Sequence, residues 1–341
     1  MIYRRLPGRV KTSIGGEDML NAIRKGETFV PNLKGKHFLR LADFSPEELG
    51  WLLETAVQMK KTQKQGKPQH FLSGKVLGMI FEKSSTRTRV SFEVGMMQLG
   101  GQAIFLSTRD IQLGRGETIA DTAKVLSRYV DAVMIRTFGH ERIEEFAEHA
   151  DIPVINGLTD LHHPAQVLAD LLTIYEYKGR LEGLKLCYIG DGNNNMAHSL
   201  LEGAVKTGMD ISVASPEGYE PHQDIVNTVK KEAENVGSKI LITGDPREAI
   251  AEADVVVTDV WASMGQEDEM QERLEKFAPF QVNEELCALA KKDFLFLHCL
   301  PAHRGEEVTA GVIDGPNSVV FDEAENRLHA QKAILKALLA G

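Results

Sequence analysis

The sequence contains little cysteine, which limits the covalent frameworks and metal sites it can form. Its 341 residues include three cysteines, Cys187, Cys287 and Cys299, and none of them belongs to a CxxC pair. Three cysteines cannot all pair within one chain, so we expect no disulfide framework and favour a reducing cytosol. No spacing of histidine and cysteine is typical of a metal site, and we expect none.

Long apolar runs and an excess of basic residues are also missing. No apolar run approaches the roughly 20 residues that a membrane helix needs, so we expect no membrane partner. The chain has 39 basic and 49 acidic residues, which give a formal net charge of −10 at pH 7. Because nucleic-acid backbones attract basic surfaces, this balance argues against a nucleic-acid partner. We expect a cytoplasmic globular protein in which any anion site is a local cluster.

Short apolar segments alternate with segments of helical spacing along most of the chain. This alternation predicts βαβ units and parallel sheets. The pattern restarts after Lys178-Gly179-Arg180, so we predict an α/β fold of two doubly wound domains joined by helices. The predicted units are an N-terminal extension (1–36), a first domain (37–180, with a C-terminal helix, 323–341, packed back on it) and a second domain (181–322).

The first candidate site is a polar segment between a predicted strand and a predicted helix. The strand Val76 to Phe81 leads into Ser84 to Arg89, and helical spacing follows at once. Free N–H groups at a helix N-terminus favour an anion, and hydroxyl groups and fixed positive charges strengthen that field. Two arginines in a first turn oppose the helix dipole, so a bound phosphate would explain them. The alternative, a Ser-capped helix with solvated arginines, explains only the hydroxyl groups.

Further polar residues fall where predicted strands end, which is the edge where ligands bind in open α/β sheets. Arg136 ends one strand, and His163 and Gln166 follow the next. Both of the latter side chains can donate hydrogen bonds to a carbonyl oxygen, as acyl transfer requires. The alternatives are a surface ion pair for Arg136 and a capped turn for the His-Pro segment.

The loop Gly190 to Asn195 also follows a predicted strand and opens a helix. A dinucleotide-binding loop has the pattern G-x-G-x-x-G, and Asn195 stands at its third glycine position. We therefore disfavour a nucleotide-dependent oxidoreductase. The amide groups of Asn194 and Asn195 suit a carboxylate ligand instead.

Two more candidates lie in the second half of the chain. Asp259 falls near the end of the predicted strand Val255 to Val260, where its carboxylate can hold an ammonium group or cap a helix. Cys299 stands beside His298, which suggests a thiol nucleophile, although a small buried thiol is more common.

Five segments, taken in order, resemble motifs of the aspartate/ornithine carbamoyltransferase family. The resemblance runs from about residue 38 to the end and leaves the N-terminal extension outside. The five segments are Ser85-Thr86-Arg87-Thr88-Arg89, His163-Pro164-Ala165-Gln166, Asp259-Val260-Trp261-Ala262-Ser263-Met264-Gly265, His298-Cys299-Leu300-Pro301 and Glu323-Ala324-Glu325-Asn326-Arg327.

The resemblance implies transfer of a carbamoyl group from carbamoyl phosphate to the δ-amine of L-ornithine, in arginine biosynthesis or catabolism, with no metal or organic cofactor. The residues that it implies for binding carbamoyl phosphate are Ser85, Thr86, Arg87, Thr88, Gln112, Arg136, His163, Gln166, Cys299, Leu300 and Arg327. Those implied for binding ornithine are Asn195, with Asn194 as the alternative, Asp259, Ser263 and Met264. Those implied for catalysis are Arg136, His163, Cys299 and Arg327, with no covalent intermediate on the cysteine.

The resemblance also implies a homotrimer or a multiple of trimers, in which Gln112 reaches the carbamoyl phosphate of a neighbouring subunit. Two alternatives remain. The acceptor amine could be putrescine or N-acetylornithine, although putrescine enzymes of the family depart from the Ser-Met-Gly pattern that this chain keeps. A non-catalytic protein of the same fold would bind the phosphate ligand without turnover.

Overall fold

The computed structural model of the chain describes residues 30–107, 111, 116–262 and 270–340. Three residues with expected binding roles, Gln112, Ser263 and Met264, lie outside the described residues, as does most of the N-terminal extension.

The first half of the chain forms a four-stranded parallel sheet in the order β2-β1-β3-β4. Phe81, the last residue of β1, pairs with Ser107 of β2 and Arg136 of β3, so these strands end at one edge and their following loops meet there. The strands are β1 (Val76–Phe81), β2 (Gln102–Ser107), β3 (Ala132–Arg136) and β4 (Val154–Leu158). The helices are α1 (Pro46–Lys64), α2 (Thr86–Gln98), α3 (Ile119–Leu126), α4 (His140–His149) and α5 (Pro164–Lys178).

The second half forms a five-stranded parallel sheet in the order β7-β6-β5-β8-β9. Its strands are β5 (Lys185–Ile189), β6 (Asp210–Ala214), β7 (Ile240–Thr243), β8 (Val255–Val257) and β9 (Leu295–Leu297). Its helices are α6 (Asn195–Lys206), α7 (Gln223–Val236), α8 (Pro246–Ile250), α9 (Met270–Phe277), α10 (Glu284–Cys287) and α11 (Ala310–Ile313). The predicted α/β fold with two parallel sheets is confirmed. Strand β8 ends before the predicted Val260, so Asp259 lies in the loop that follows it.

The last helix, α12 (Val320–Leu339), returns to the first half and packs against α1, α2 and α5, as predicted. Ile334 and Leu335 on this helix are fully buried, and burial of each side chain contributes about 1.5–3 kcal/mol to folding. The helix begins at Val320, before the predicted start near Glu323. Glu323 and Arg327 therefore lie on a formed helix, and both side chains are buried.

Local sequence explains how several helices begin. Ser45 caps α1 and forms a reciprocal capping box with Glu48, with Pro46 in the first turn.

Within the described part of the chain, every helix is too short or too polar to cross a membrane.

Candidate active site

The polar segment after β1 forms the N-terminus of α2, at the edge of the first sheet. The Ser85 side chain accepts a hydrogen bond from the Thr88 backbone N–H over 3.2 Å and so caps the helix. The α-helical pattern supplies no partner for the first N–H groups of a helix, and these groups carry partial positive charge. Thr86 is exposed in this first turn. The anion-favouring helix start and the cap are therefore both present.

Three arginines from distant parts of the chain form a positive cluster, in which Arg136 and Arg327 are buried. Arg87 lies in the first turn of α2, Arg136 ends β3, and Arg327 lies in α12. We call this set the arginine cluster. Burial, followed by the neighbouring charges of Arg327 and Arg87, lowers the pKa of Arg136 to about 10. Burial, together with the charge of Arg87, lowers the pKa of Arg327 to about 10. Cations held this close together favour an anionic ligand between them.

The second arginine of the motif, Arg89, serves a different purpose. Its Nε atom donates to Glu93 Oε1 over 3.1 Å, and its guanidinium lies 3.8 Å from the centre of the Phe105 ring. Arg89 thus has structural partners of its own on α2, which leaves Arg87 as the arginine of this turn that belongs to the cluster.

His163 lies beside the arginine cluster at the start of α5. Burial, together with the charges of Arg327, Arg136 and Arg87, lowers its pKa well below the usual value. The imidazole is therefore neutral near pH 7 and can donate a single N–H without adding a further charge. Its backbone N–H donates to Ser199 Oγ over 2.8 Å, which fixes the residue against α6.

Arg327 connects the N-terminus of α2 to α5. Its Nη2 atom donates to Thr88 Oγ1 over 2.7 Å, and its Nη1 atom donates to Gln166 Oε1 over 2.6 Å. The Gln166 amide nitrogen donates to Asp170 Oδ1 over 2.8 Å and to Glu323 Oε1 over 2.9 Å. Both N–H bonds of Gln166 are therefore engaged in positioning Arg327. The predicted donation to a substrate carbonyl requires one of them to be exchanged.

Asp170 and Glu323 form a buried acidic pair that the sequence analysis missed. Burial raises the pKa of Asp170 to about 7, and burial together with Asp170 raises that of Glu323 well above its usual value. Glu323 Oε2 also accepts from the His298 backbone N–H over 2.9 Å, so this carboxyl group connects α5 to the loop after β9. Asp170 stands four residues after Gln166 on one helix, and this spacing was a usable signal.

The loop after β9 presents a backbone carbonyl to the arginine cluster. Arg87 Nη2 donates to the Leu300 carbonyl oxygen over 2.5 Å. Leu300 has a positive φ of 58°, which its side chain disfavours. Its N–H donates to His298 Nδ1 over 2.9 Å, so the His298 proton resides on Nε2, which lies 3.1 Å from Glu307 Oε1. His298 and Glu307 thus hold the strained loop in place.

Asp259 and Cys299 meet at the ends of β8 and β9. The Cys299 thiol donates to Asp259 Oδ1 over 3.2 Å. Burial, followed by the Asp259 charge, raises the pKa of Cys299 well above its usual value, and burial raises that of Asp259 as well. A thiol in this environment stays protonated near neutral pH and is a poor nucleophile.

The two candidate asparagines have different surroundings at the start of α6. Asn194 caps the helix, because its Oδ1 accepts from the Ala197 N–H over 2.9 Å, and its Nδ2 donates to the Tyr188 hydroxyl. Asn195 donates from Nδ2 to the Thr159 carbonyl over 2.7 Å and remains partly accessible. Both polar atoms of the Asn194 side chain are therefore engaged in hydrogen bonds within the protein, whereas Asn195 is the more accessible of the two.

A buried ion pair holds the Asp259 loop against the Gly190–Asn195 loop. Arg273 Nη1 donates to Asp191 Oδ2 over 2.6 Å and to the Trp261 carbonyl over 2.9 Å. The loop after β9 contacts the arginine cluster through the Leu300 carbonyl, and the loop after β8 contacts the loop after β9 through the Asp259–Cys299 hydrogen bond. The predicted site residues whose contacts or charges couple them here are Ser85, Arg87, Thr88, Arg136, His163, Gln166, Asp259, Cys299, Leu300 and Arg327.

Comparisons with known proteins match both halves of the chain. The carbamoyl-P binding domain of aspartate/ornithine carbamoyltransferase matches residues 36–176, and the Asp/Orn binding domain matches residues 182–338. The chain is 67% identical over 307 residues to an ornithine carbamoyltransferase of Anoxybacillus flavithermus, covering 90% of this chain and 98% of that protein. It is 62% identical over 308 residues to that of Bacillus subtilis, covering 90% and 95%.

A solved structure agrees with these sequence matches. The ornithine carbamoyltransferase from Pyrococcus furiosus superposes with a TM-score of 0.89 at 55% identity, covering 92% of this chain and 99% of that one. On these grounds the chain belongs to the aspartate/ornithine carbamoyltransferase family.

Proposed function

We propose that this chain is an ornithine carbamoyltransferase, which transfers the carbamoyl group of carbamoyl phosphate to the δ-amine of L-ornithine and releases L-citrulline and phosphate. The observation that carries this proposal is the arginine cluster, whose charges act on the neutral His163 and whose Arg87 contacts the Leu300 carbonyl, next to the Asp259–Cys299 pair. Curated relatives that bear this name are 57–67% identical to the chain.

Carbamoyl phosphate has a dianionic end and a neutral end, and the site offers a partner for each. The phosphate would lie at the Ser85–Thr88 helix start, with Arg87 and Arg136 neutralising its charge. Thr88 Oγ1 accepts from Arg327, so its own proton is free to be donated to the carbonyl oxygen. Arg136 and His163 would supply the other donors to that oxygen, while the Leu300 carbonyl would accept from the carbamoyl N–H₂.

The chemical step needs a neutral amine, because an ammonium group has no lone pair. A free alkyl amine has a pKa of about 10.4, and desolvation in a closed site lowers it. The δ-nitrogen attacks the carbonyl carbon, and negative charge develops on the carbonyl oxygen near Arg136, His163 and Thr88. The C–O bond to phosphate then breaks, phosphate leaves with its electron pair, and one amine proton passes to a phosphate oxygen. Positioning and electrostatics supply most of the acceleration.

Ornithine would enter from the second half of the chain. We assign its α-ammonium to Asp259 and its α-carboxylate to Asn195, with Ser263 and Met264 along its side chain. Cys299 would lie near the δ-amine as a neutral thiol rather than as a nucleophile. We further propose the predicted division at residues 180 and 322, a cytoplasmic location, and a homotrimer in which Gln112 contacts the neighbouring subunit's carbamoyl phosphate.

The acceptor is tested by measuring product from carbamoyl phosphate with ornithine, putrescine, N-acetylornithine and aspartate in separate reactions. Citrulline from ornithine, with little product from the others, supports the proposal. Turnover of putrescine or N-acetylornithine in preference to ornithine would overturn the acceptor assignment. Binding of carbamoyl phosphate without any turnover would instead support the non-catalytic alternative.

A further inference from the structure

A second cluster of potential ligands lies outside the proposed active site, on the turn that follows the Leu300 loop. His303 Nδ1 lies 3.6 Å from Glu306 Oε2 and 3.8 Å from Glu307 Oε2. The three ligand atoms all lie within 4.8 Å of one another. Tetrahedral ligands roughly 2.1 Å from a zinc ion stand about 3.4 Å apart, so small side-chain shifts would bring these atoms into coordination range.

Glu307 gives a separate reason to expect a cation here. Its side chain is fully buried, and its Oε1 atom accepts from the His303 N–H over 2.6 Å and from His298 Nε2. Its Oε2 atom is also buried and has no hydrogen-bond partner, and this is the atom that faces His303 Nδ1. Buried carboxylate oxygens are costly without a partner, and a cation would satisfy this one.

The backbone holds the three side chains in a fixed turn. The Gly305 N–H donates to the Val308 carbonyl, and the Gln281 side chain donates to the carbonyls of Gly305 and Glu306 over 2.9 and 2.8 Å. Gly305 has a φ of 94°, which favours glycine. Arg304 pairs with Asp314 over 2.6 Å and anchors the same turn. A rigid turn of this kind preorganises a binding site.

We propose that His303, Glu306 and Glu307 bind a divalent transition cation of the zinc class in this turn. One imidazole nitrogen and two carboxylate oxygens form a ligand set suited to zinc, and the half-exposed His303 ring leaves a path for the ion. A search for histidine and cysteine spacing does not detect this pattern, because two of the three ligands are glutamates. The ion takes no part in the proposed carbamoyl transfer.

A second group that can hold zinc is Asp259, His298 and Cys299 in the proposed active site, whose ligand atoms also lie within 4.8 Å of one another. The test therefore uses the Cys299→Ser protein, which removes the thiol from that competing cluster. The full-length protein, stripped with a chelator, is titrated with ZnCl₂ by calorimetry, and the thermal midpoint is recorded with and without zinc. Neither the calorimetric titration nor the thermal midpoint requires turnover, so the result does not depend on the proposed function.

We expect the Cys299→Ser protein to bind one zinc ion per chain. Adding either His303→Ala or Glu306→Gln should lower the zinc affinity roughly tenfold or more and abolish the zinc-induced rise in thermal midpoint. His222→Ala is the matched control, because His222 is an exposed histidine 3.9 Å from Asp224 outside the cluster. The control should bind zinc with the same affinity as the Cys299→Ser parent protein. Absence of zinc binding, or equal affinity in the parent and His303→Ala proteins, would overturn the proposal.

Discussion

Arg327 Nη2 donates a hydrogen bond to Thr88 Oγ1 over 2.7 Å, although 239 residues separate the two in the chain. The contact exists because α12 returns to pack against α2 and α5. It places a third positive charge at the helix start, beside Arg87 and Arg136, and leaves the Thr88 hydroxyl proton free. The C-terminal helix is therefore a component of the proposed carbamoyl phosphate site.

The first prediction concerns acceptor recognition by Asp259. Asp259→Ala should lower kcat/KM for ornithine by about 100-fold, because a charged hydrogen bond to the α-ammonium is lost. Putrescine has no α-ammonium or α-carboxylate, so its slow turnover should change much less. Steady-state kinetics with both amines checks this. Equal losses on the two amines would remove the α-ammonium assignment.

The second prediction concerns Cys299, whose thiol has a raised pKa. Because the thiol is protonated, Cys299→Ser should retain more than about a hundredth of the activity, whereas loss of a true nucleophile costs on the order of 10⁶-fold in a hydrolase. Rapid quench with labelled carbamoyl phosphate should show no label on the protein. A labelled Cys299, or loss of all turnover, would contradict the neutral-thiol role.

The third prediction concerns the buried acid Asp170, whose folded-state pKa is raised from 3.8 to about 7. A raised acid pKa means that the folded state holds a proton that the unfolded state releases. The associated stability is therefore present below about pH 4 and lost as pH rises towards 7. In the Asp170→Asn protein, the asparagine side chain keeps an oxygen that accepts the hydrogen bond from Gln166, but it cannot ionise. The free energy of unfolding of Asp170→Asn, relative to wild type, should therefore rise by about 2–4 kcal/mol from pH 4 to pH 8.

Urea unfolding at several pH values measures this difference. Asp151→Asn is the control, because Asp151 is exposed and should show little pH-dependent difference from wild type. A stability difference for Asp170→Asn that stays constant from pH 4 to pH 8 would show that Asp170 does not carry the buried proton.

Much of the fold was predictable because its signals are local. The alternation of apolar strands with helices predicted both parallel sheets, and the Ser45 cap and Pro46 at the start of α1 are signals of the same local kind. The return of α12 to the first half was also confirmed. Its start was placed too late, because Val320, the exposed Phe321 and Asp322 carry no N-cap signal.

The contacts inside the site were less predictable, because they join residues that are far apart in the chain. Their side-chain type identified Arg87 and Arg136 as candidate positive charges for an anion site. It did not show that Glu323 would receive hydrogen bonds from both Gln166 and His298. Nor did it separate Arg87, which faces the site, from Arg89, which pairs with Glu93. These distinctions depend on helix rotation and packing.

Comparison of Arg87→Ala with Arg89→Ala tests the central claim most directly, since the two residues share one helix and one side-chain chemistry. The measurement is the saturation of citrulline formation by carbamoyl phosphate at fixed ornithine. Arg87→Ala should raise the KM for carbamoyl phosphate about 10- to 100-fold, because a charged hydrogen bond to the phosphate is lost. Arg89→Ala removes only an exposed ion pair and its ring contact, and should stay within about fivefold of wild type. An unchanged KM in Arg87→Ala, or equal effects of the two substitutions, would contradict a phosphate site built on the arginine cluster.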